Sequence, residues 1–173
     1  LYYNVEQFLQ AERARRLNRD DLAARILSQR SPKACFDLMS TQADECTLHS
    51  IGWFSDLPAI LETALWAKFT QSPTHRQHLL ETGSQRLVFA TPFDHVLGIG
   101  LRANDPACCE MGNWVGENRL GYALEAIRVE LSRKEQSTSG YVALEQNNPR
   151  KRKYPKERIE KMFIPAKMCN ADN

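Results

Sequence analysis

Asn113-Trp114-Val115-Gly116-Glu117-Asn118-Arg119-Leu120-Gly121-Tyr122 runs without a break into Ala123-Leu124-Glu125-Ala126-Ile127-Arg128-Val129-Glu130-Leu131. Two glycines and two asparagines within nine residues suit a tight loop whose backbone makes a close approach. Leu120, Ala123, Leu124, Ile127 and Leu131 then recur at helical spacing, which predicts a helix over about 119–133 with these side chains in the core. A loop feeding a helix start is suited to an anion, because first-turn N–H groups and the helix dipole both favour negative charge. Gly-x-Asn-x-x-Gly is not among the common phosphate-loop patterns, however. On the residues alone, Asn118 as a helix cap between turn-forming glycines accounts for the stretch equally well.

Working outward from this stretch, the chain reads as mainly α with a minor strand element. Asn4 opens a first helix, with Val5, Phe8 and Leu9 on one side and Glu6, Gln10 and Arg13 sharing another face. Asp20 serves as the expected cap of a second helix through Leu27, and Ser31-Pro32 as cap and first-turn proline of a third. Residues 40–52 are polar and unperiodic and read as loop. Asp56-Leu57-Pro58 opens a longer helix burying Ile60, Leu61, Ala64, Leu65 and Phe69, with Trp53 and Trp66 expected in the core. Ser72-Pro73 caps the next helix and Thr82-Gly83 ends it. Arg86–Ala90, partly β-branched and bounded by glycine and proline, reads as a strand, and residues 101–112 as an irregular insertion.

The 173 residues are enough for one domain with a sizeable core, and 42% apolar with 25% charged residues is an ordinary globular composition. Apolar runs are too short for a bilayer span, and the start of the sequence carries no signal-like pattern, so an intracellular protein, cytoplasmic or nuclear, is expected. Five cysteines without C-x-x-C spacing, and four histidines away from them, imply neither a disulfide framework nor a structural metal. No cofactor is expected. A net charge of +2 gives the body of the domain no nucleic-acid signature. Positive charge gathers instead at Arg150, Lys151, Arg152 and Lys153. The domain is accordingly set at 1–135, a linker rich in Ser, Gly, Asn and Pro at 136–149, and a basic extension at 150–173.

Trp114-Val115-Gly116-Glu117-Asn118-Arg119-Leu120-Gly121 resembles the W-x-G-x-N-x-L-G block of the NADAR family, the YbiA-like N-glycosidases. Three further blocks follow that family's order. Glu6-Gln7-Phe8-Leu9-Gln10-Ala11-Glu12-Arg13 is similar to its E-H-Y-x-Q-x-x-K helix, Ala64-Leu65-Trp66-Ala67-Lys68-Phe69-Thr70-Gln71 to its A-x-x-x-K-F-x-Q helix, and Asp94-His95-Val96-Leu97-Gly98-Ile99-Gly100 to its D-x-x-W-G-x-G loop. The resemblance covers about residues 4–132 and implies a compact, single-domain helical fold.

That resemblance implies an N-glycosidase that removes ADP-ribose from the guanine amino group of nucleic acid. A weakly catalytic ADP-ribose or NAD reader, or a glycosidase acting on ribosylamine phosphates of riboflavin synthesis, are the alternatives. Breaking such a bond develops a cation at the anomeric carbon and negative charge on the leaving nitrogen, so the site needs carboxylates, a proton donor and groups that hold sugar and phosphates. The matched positions imply Glu6 as general acid/base and Asp94 as positioner of water or ribose hydroxyls, although Asp94 also suits a turn cap. Arg13 joins the catalytic set. Gln10, Gly98, Ile99, Gly100, Trp114, Gly116, Asn118, Leu120 and Gly121 are the implied ligand-binding residues, and no residue is assigned to a metal. If nucleic acid is the substrate, the basic tail adds phosphate contacts.

This sequence departs from the family pattern at three places. Arg13 stands where the family has lysine, and a guanidinium cannot serve as an imine-forming amine because it stays protonated. Leu97 stands at a usual tryptophan, and the family's F-S-N-F-like segment has no counterpart in this sequence.

Overall fold

The computed structural model describes residues 2–142, with side chains through Glu135. The fold is mainly α: seven α-helices and two short 3₁₀ turns among the described residues, with no strand. The helices fall into two compact units that meet in sequence between Glu81 and Thr82. The basic cluster Arg150–Lys153 and the second half of the expected linker lie outside the described residues.

The first unit holds α1 (Val5–Arg16), α2 (Asp20–Leu27), α3 (Pro32–Met39), α4 (Glu45–Ser50), α5 (Trp53–Gln71) and α6 (Pro73–Glu81). Asn4 caps α1 by accepting from the Gln7 amide at 2.8 Å, and Ser31 caps α3, as the sequence indicated. The cap of α2 is Arg19, and Asp20 is already the first helical residue. An acidic residue in that first turn still opposes the helix dipole favourably. Within 40–52, expected as loop, Asp44 accepts from Thr47 N at 2.8 Å and starts the six-residue α4. Left-handed Gly52 starts α5 at Trp53, which leaves Pro58 inside the helix rather than at its opening.

α1 packs on α2, α3 and α5, and its small residues allow the close approach. Ala11, Ala14, Leu22, Ala23, Ile26, Cys35 and Met39 form one buried cluster between α1, α2 and α3. Gln7 is fully buried there, and its amide donates to the carbonyls of Ile26, Leu27 and Gln29 at the C-terminal end of α2. The last carbonyls of a helix have no intrahelical donors, so a polar side chain that donates to them from the core is stabilising at this point.

The second unit is built on α7 (Arg119–Val142) and the loops that lead to it. Leu124, Ile127 and Leu131 are buried as the helical period requires, and the helix continues through 136–142, past the compositional start of the linker. Residues 101–112 contain a 3₁₀ turn at Pro106–Cys109, and a second spans Met111–Asn113.

The expected strand at Arg86–Ala90 is absent, for a reason visible in its hydrogen bonds. Leu87 N–H donates to the Glu125 carboxylate at 2.8 Å, Leu87 C=O accepts from Asn118 Nδ2 at 2.9 Å, and Phe89 N–H donates to Asn118 Oδ1 at 3.0 Å. Ile99 N–H completes the set on Phe89 C=O at 3.0 Å. The segment therefore has strand-like chemistry, and side chains stand where a neighbouring strand would.

Candidate functional site

In the first unit, one face of α1 carries three of the expected site residues in a hydrogen-bonded row. Gln10 Nε2 donates to Glu6 Oε1 at 2.6 Å, and Arg13 donates to Gln10 Oε1 at 3.1 Å. Spacings of four and three residues put these side chains one above another on a helix. Gln10 is buried, while Glu6 and Arg13 are half-buried. The Arg13 guanidinium also lies over the Trp53 ring, 5.5 Å from its centroid. Glu6 is close enough to Cys35 for its charge to add to burial in pushing that thiol's pKa up. This arrangement fixes the Glu6 carboxyl in direction, which acid/base work requires.

The same unit holds a group that the site assignment passed over. Burial lowers the Lys68 ammonium to about 8, well below an ordinary lysine. Its Nζ sits 5.7 Å from the Phe69 ring centroid near the end of α5. His75 on α6 is held below the usual histidine range, first by burial and then by the charges of Lys68 and His78, and its Nδ1 lies 2.6 Å from Ser72 Oγ. The K-F-x-Q block contained the signal, since Lys68 follows the apolar stripe of a buried helix.

In the second unit, the structure brings together Asp94, Gly98, Ile99, Gly100, Trp114, Gly116, Asn118, Leu120 and Gly121 as two laced loops. Asp94 Oδ1 accepts from Val96 N at 2.9 Å and Leu97 N at 2.7 Å, which makes it the turn cap that the residues alone allowed. The N–H groups of Glu117, Asn118, Arg119 and Leu120 donate to the carbonyls of His95, Gly98, Val96 and Leu97 at 2.7–3.1 Å. The helix start that suggested an anion cradle therefore has its leading donors committed to protein carbonyls.

The glycines follow from that lacing. A Cβ at Gly116 would lie 2.4 Å from Gly98 O, and one at Gly121 would lie 2.2 Å from Leu87 O. Gly98 is closed in by Thr91 and by the Phe89 and Asp94 carbonyls. Close approach of the chain to itself is what these positions demand. Asn118, at φ +52° and fully buried, uses its amide on Leu87 and Phe89. Trp114 is half-buried against Val88, Ile99 and Cys108, and its indole N–H donates to Cys108 C=O at 2.9 Å. Ile99 is wholly buried.

Among the described residues, no three His, Cys, Asp or Glu side chains gather to hold a metal ion, and no helix is long and apolar enough to cross a membrane.

Comparison with known proteins supplies the frame for these residues. The Caenorhabditis elegans protein irg-1 is 31% identical over 129 residues, which is 73% of this chain and 59% of that protein. N-glycosidase R617 of Acanthamoeba polyphaga mimivirus is 43% identical over 63 residues, 36% of this chain and 37% of that protein. The chain thus spans less than two thirds of either relative. No solved structure matches it significantly. The NADAR domain profile matches residues 1–132, which takes in the α1 row, Lys68 and both laced loops, and the chain belongs to the NADAR domain family.

Proposed function

We propose that this chain is an N-glycosidase that hydrolyses the bond between ADP-ribose and the amino group of guanine in nucleic acid. The observation that carries the reading is the row on α1, in which Gln10 donates to Glu6 and Arg13 to Gln10. It gives a NADAR chain an oriented, half-buried carboxyl of the kind that glycosyl chemistry needs. Similarity to a relative named N-glycosidase R617 supports the same class.

In this reading Lys68 supplies the amine that Arg13 cannot. Neutral Lys68 Nζ adds to C1 of the ring-opened ribosyl imine, and the guanine nitrogen leaves after taking a proton from Glu6. Water, deprotonated by Glu6, then attacks the lysine imine, which releases ADP-ribose and regenerates the amine. Arg13 acts as a positioning residue through Gln10, while Asp94 holds the turn of its own loop in the second unit. The basic residues Arg150, Lys151, Arg152 and Lys153 add phosphate contacts when the substrate is nucleic acid.

Arg13 also favours a second reading, a reader that binds ADP-ribose without turnover, because the family's lysine is replaced there. Chromatographic release of ADP-ribose from an oligonucleotide carrying ADP-ribosyl-guanine separates the two. The glycosidase requires release by the native chain and its loss in Glu6→Gln. Binding without release by the native chain, followed by turnover in Arg13→Lys, would establish the reader.

A further inference from the structure

Arg128 is a charged side chain with only 7% of its surface exposed, set on α7 beside Leu124, Ile127 and Leu131. Its guanidinium donates to the Thr82 hydroxyl at 2.6 Å, a neutral partner. No carboxylate among the described residues lies within ion-pairing distance of it. Glu125, one turn earlier, is committed to Arg86 and to the Leu87 amide. A guanidinium cannot escape burial by losing its proton, and a desolvated charge without a counter-ion is costly. Among the described residues, its bond to Thr82 uses one of the five N–H donors of the guanidinium.

We propose that Arg128, with Thr82, is a phosphate-binding subsite. The planar fork of the guanidinium presents paired N–H groups that match two oxygens of one phosphate, and the Thr82 bond fixes the direction of the fork. Binding an anion there completes a charge pair that the described residues leave open. The occupant is a phosphate or pyrophosphate group of a nucleotide ligand, a class that rests on the glycosidase or reader function proposed above. The phosphate chemistry itself does not depend on turnover. The apolar period of α7 masks this residue in the sequence, because Arg128 falls between Ile127 and Leu131 on a helix face that otherwise reads as core.

The test is binding of inorganic pyrophosphate and ADP-ribose to the full chain by calorimetry and by thermal shift, in the native protein, Arg128→Met and Arg128→Lys. The native chain should bind both ligands and gain thermal stability from each. Arg128→Met should lose at least about ten-fold in affinity for both, and should melt without ligand no lower than the native chain, since a buried unpaired charge has been removed. Arg128→Lys, which keeps the charge and loses the fork, should fall between the two. An unmodified oligonucleotide serves as a further arm, and a loss confined to it would assign the subsite to backbone phosphate instead. Equal pyrophosphate affinity in native and Arg128→Met, or an Arg128→Met that fails to fold while the native chain shows no response to pyrophosphate, would overturn the proposal. Absence of ADP-ribose release alongside Arg128-dependent pyrophosphate binding would defeat the glycosidase and leave the subsite standing.

Discussion

Lys68 offers the most direct chemical test of the proposed reaction, because its lowered pKa sets a quantitative pH profile. With a pKa of about 8, the amine is neutral in roughly a tenth of molecules at pH 7, about a hundredth at pH 6 and about nine tenths at pH 9. An ordinary lysine would be neutral in only about four molecules in ten thousand at pH 7. The opened form of ADP-ribose carries an aldehyde at C1, and a neutral amine condenses with it. Incubation with ADP-ribose and cyanoborohydride should therefore trap a covalent adduct, found by mass spectrometry and mapped to Lys68. The initial trapping rate should fall about nine-fold between pH 7 and pH 6 once the pH dependence of the reagent is corrected with a free amine. Lys68→Met should give no adduct at that position. So should Lys68→Arg, which keeps charge and approximate size. Equal labelling of native and Lys68→Met proteins, or a profile that rises only above pH 10, would refute the assignment of Lys68 as the reactive amine.

The same lysine predicts a stability slope. Folding lowers its pKa, so between about 8 and the unfolded value near 10.4 the unfolded chain binds more protons, and stability rises with pH across that window. Denaturant titrations at pH 7 and pH 10 should show this rise, and Lys68→Met should lack it. Asn118→Ala removes a buried amide that serves both Leu87 and Phe89, and it puts alanine at φ +52°. The expected loss is about 3–5 kcal/mol by chemical unfolding, and a loss below 1 kcal/mol would mean that the 86–90 segment finds other partners. The two glycines Gly121 and Gly83 should behave differently when replaced by alanine. The first meets Leu87 O at 2.2 Å and should disrupt the start of α7, whereas the second has open space and φ +57°, and should cost only about 1 kcal/mol.

The elements that the sequence made legible are those set by local chemistry. Asn4 and Ser31 cap helices through their own side chains, and the stripe from Ile60 to Phe69 needs only helical spacing. The strand at 86–90 was misread because its partners, Asn118 and Glu125, lie some thirty or more residues away and are side chains rather than backbone. Helix α4 was missed because a single capping aspartate starts a helix of only six residues, too short to show a period. The shared face of Glu6, Gln10 and Arg13 could be read from spacing, whereas its reading as a site came from the family resemblance. The displaced pKa of Lys68 and the lack of a counter-ion for Arg128 among the described residues could not, since both depend on what the fold packs around them.

The lacing of the 95–98 carbonyls to the 117–120 amides has a consequence for how the second unit moves. Four consecutive amides share one set of acceptors on a loop some twenty residues earlier in the chain. None of them can meet solvent unless the loops part, so they should exchange their hydrogens with deuterium together, at one common rate and in one pH regime. That rate would measure the opening of the Asp94–Gly100 loop directly. A ligand that seats against this loop would slow all four amides by the same factor, giving a readout of occupancy that needs no catalytic turnover.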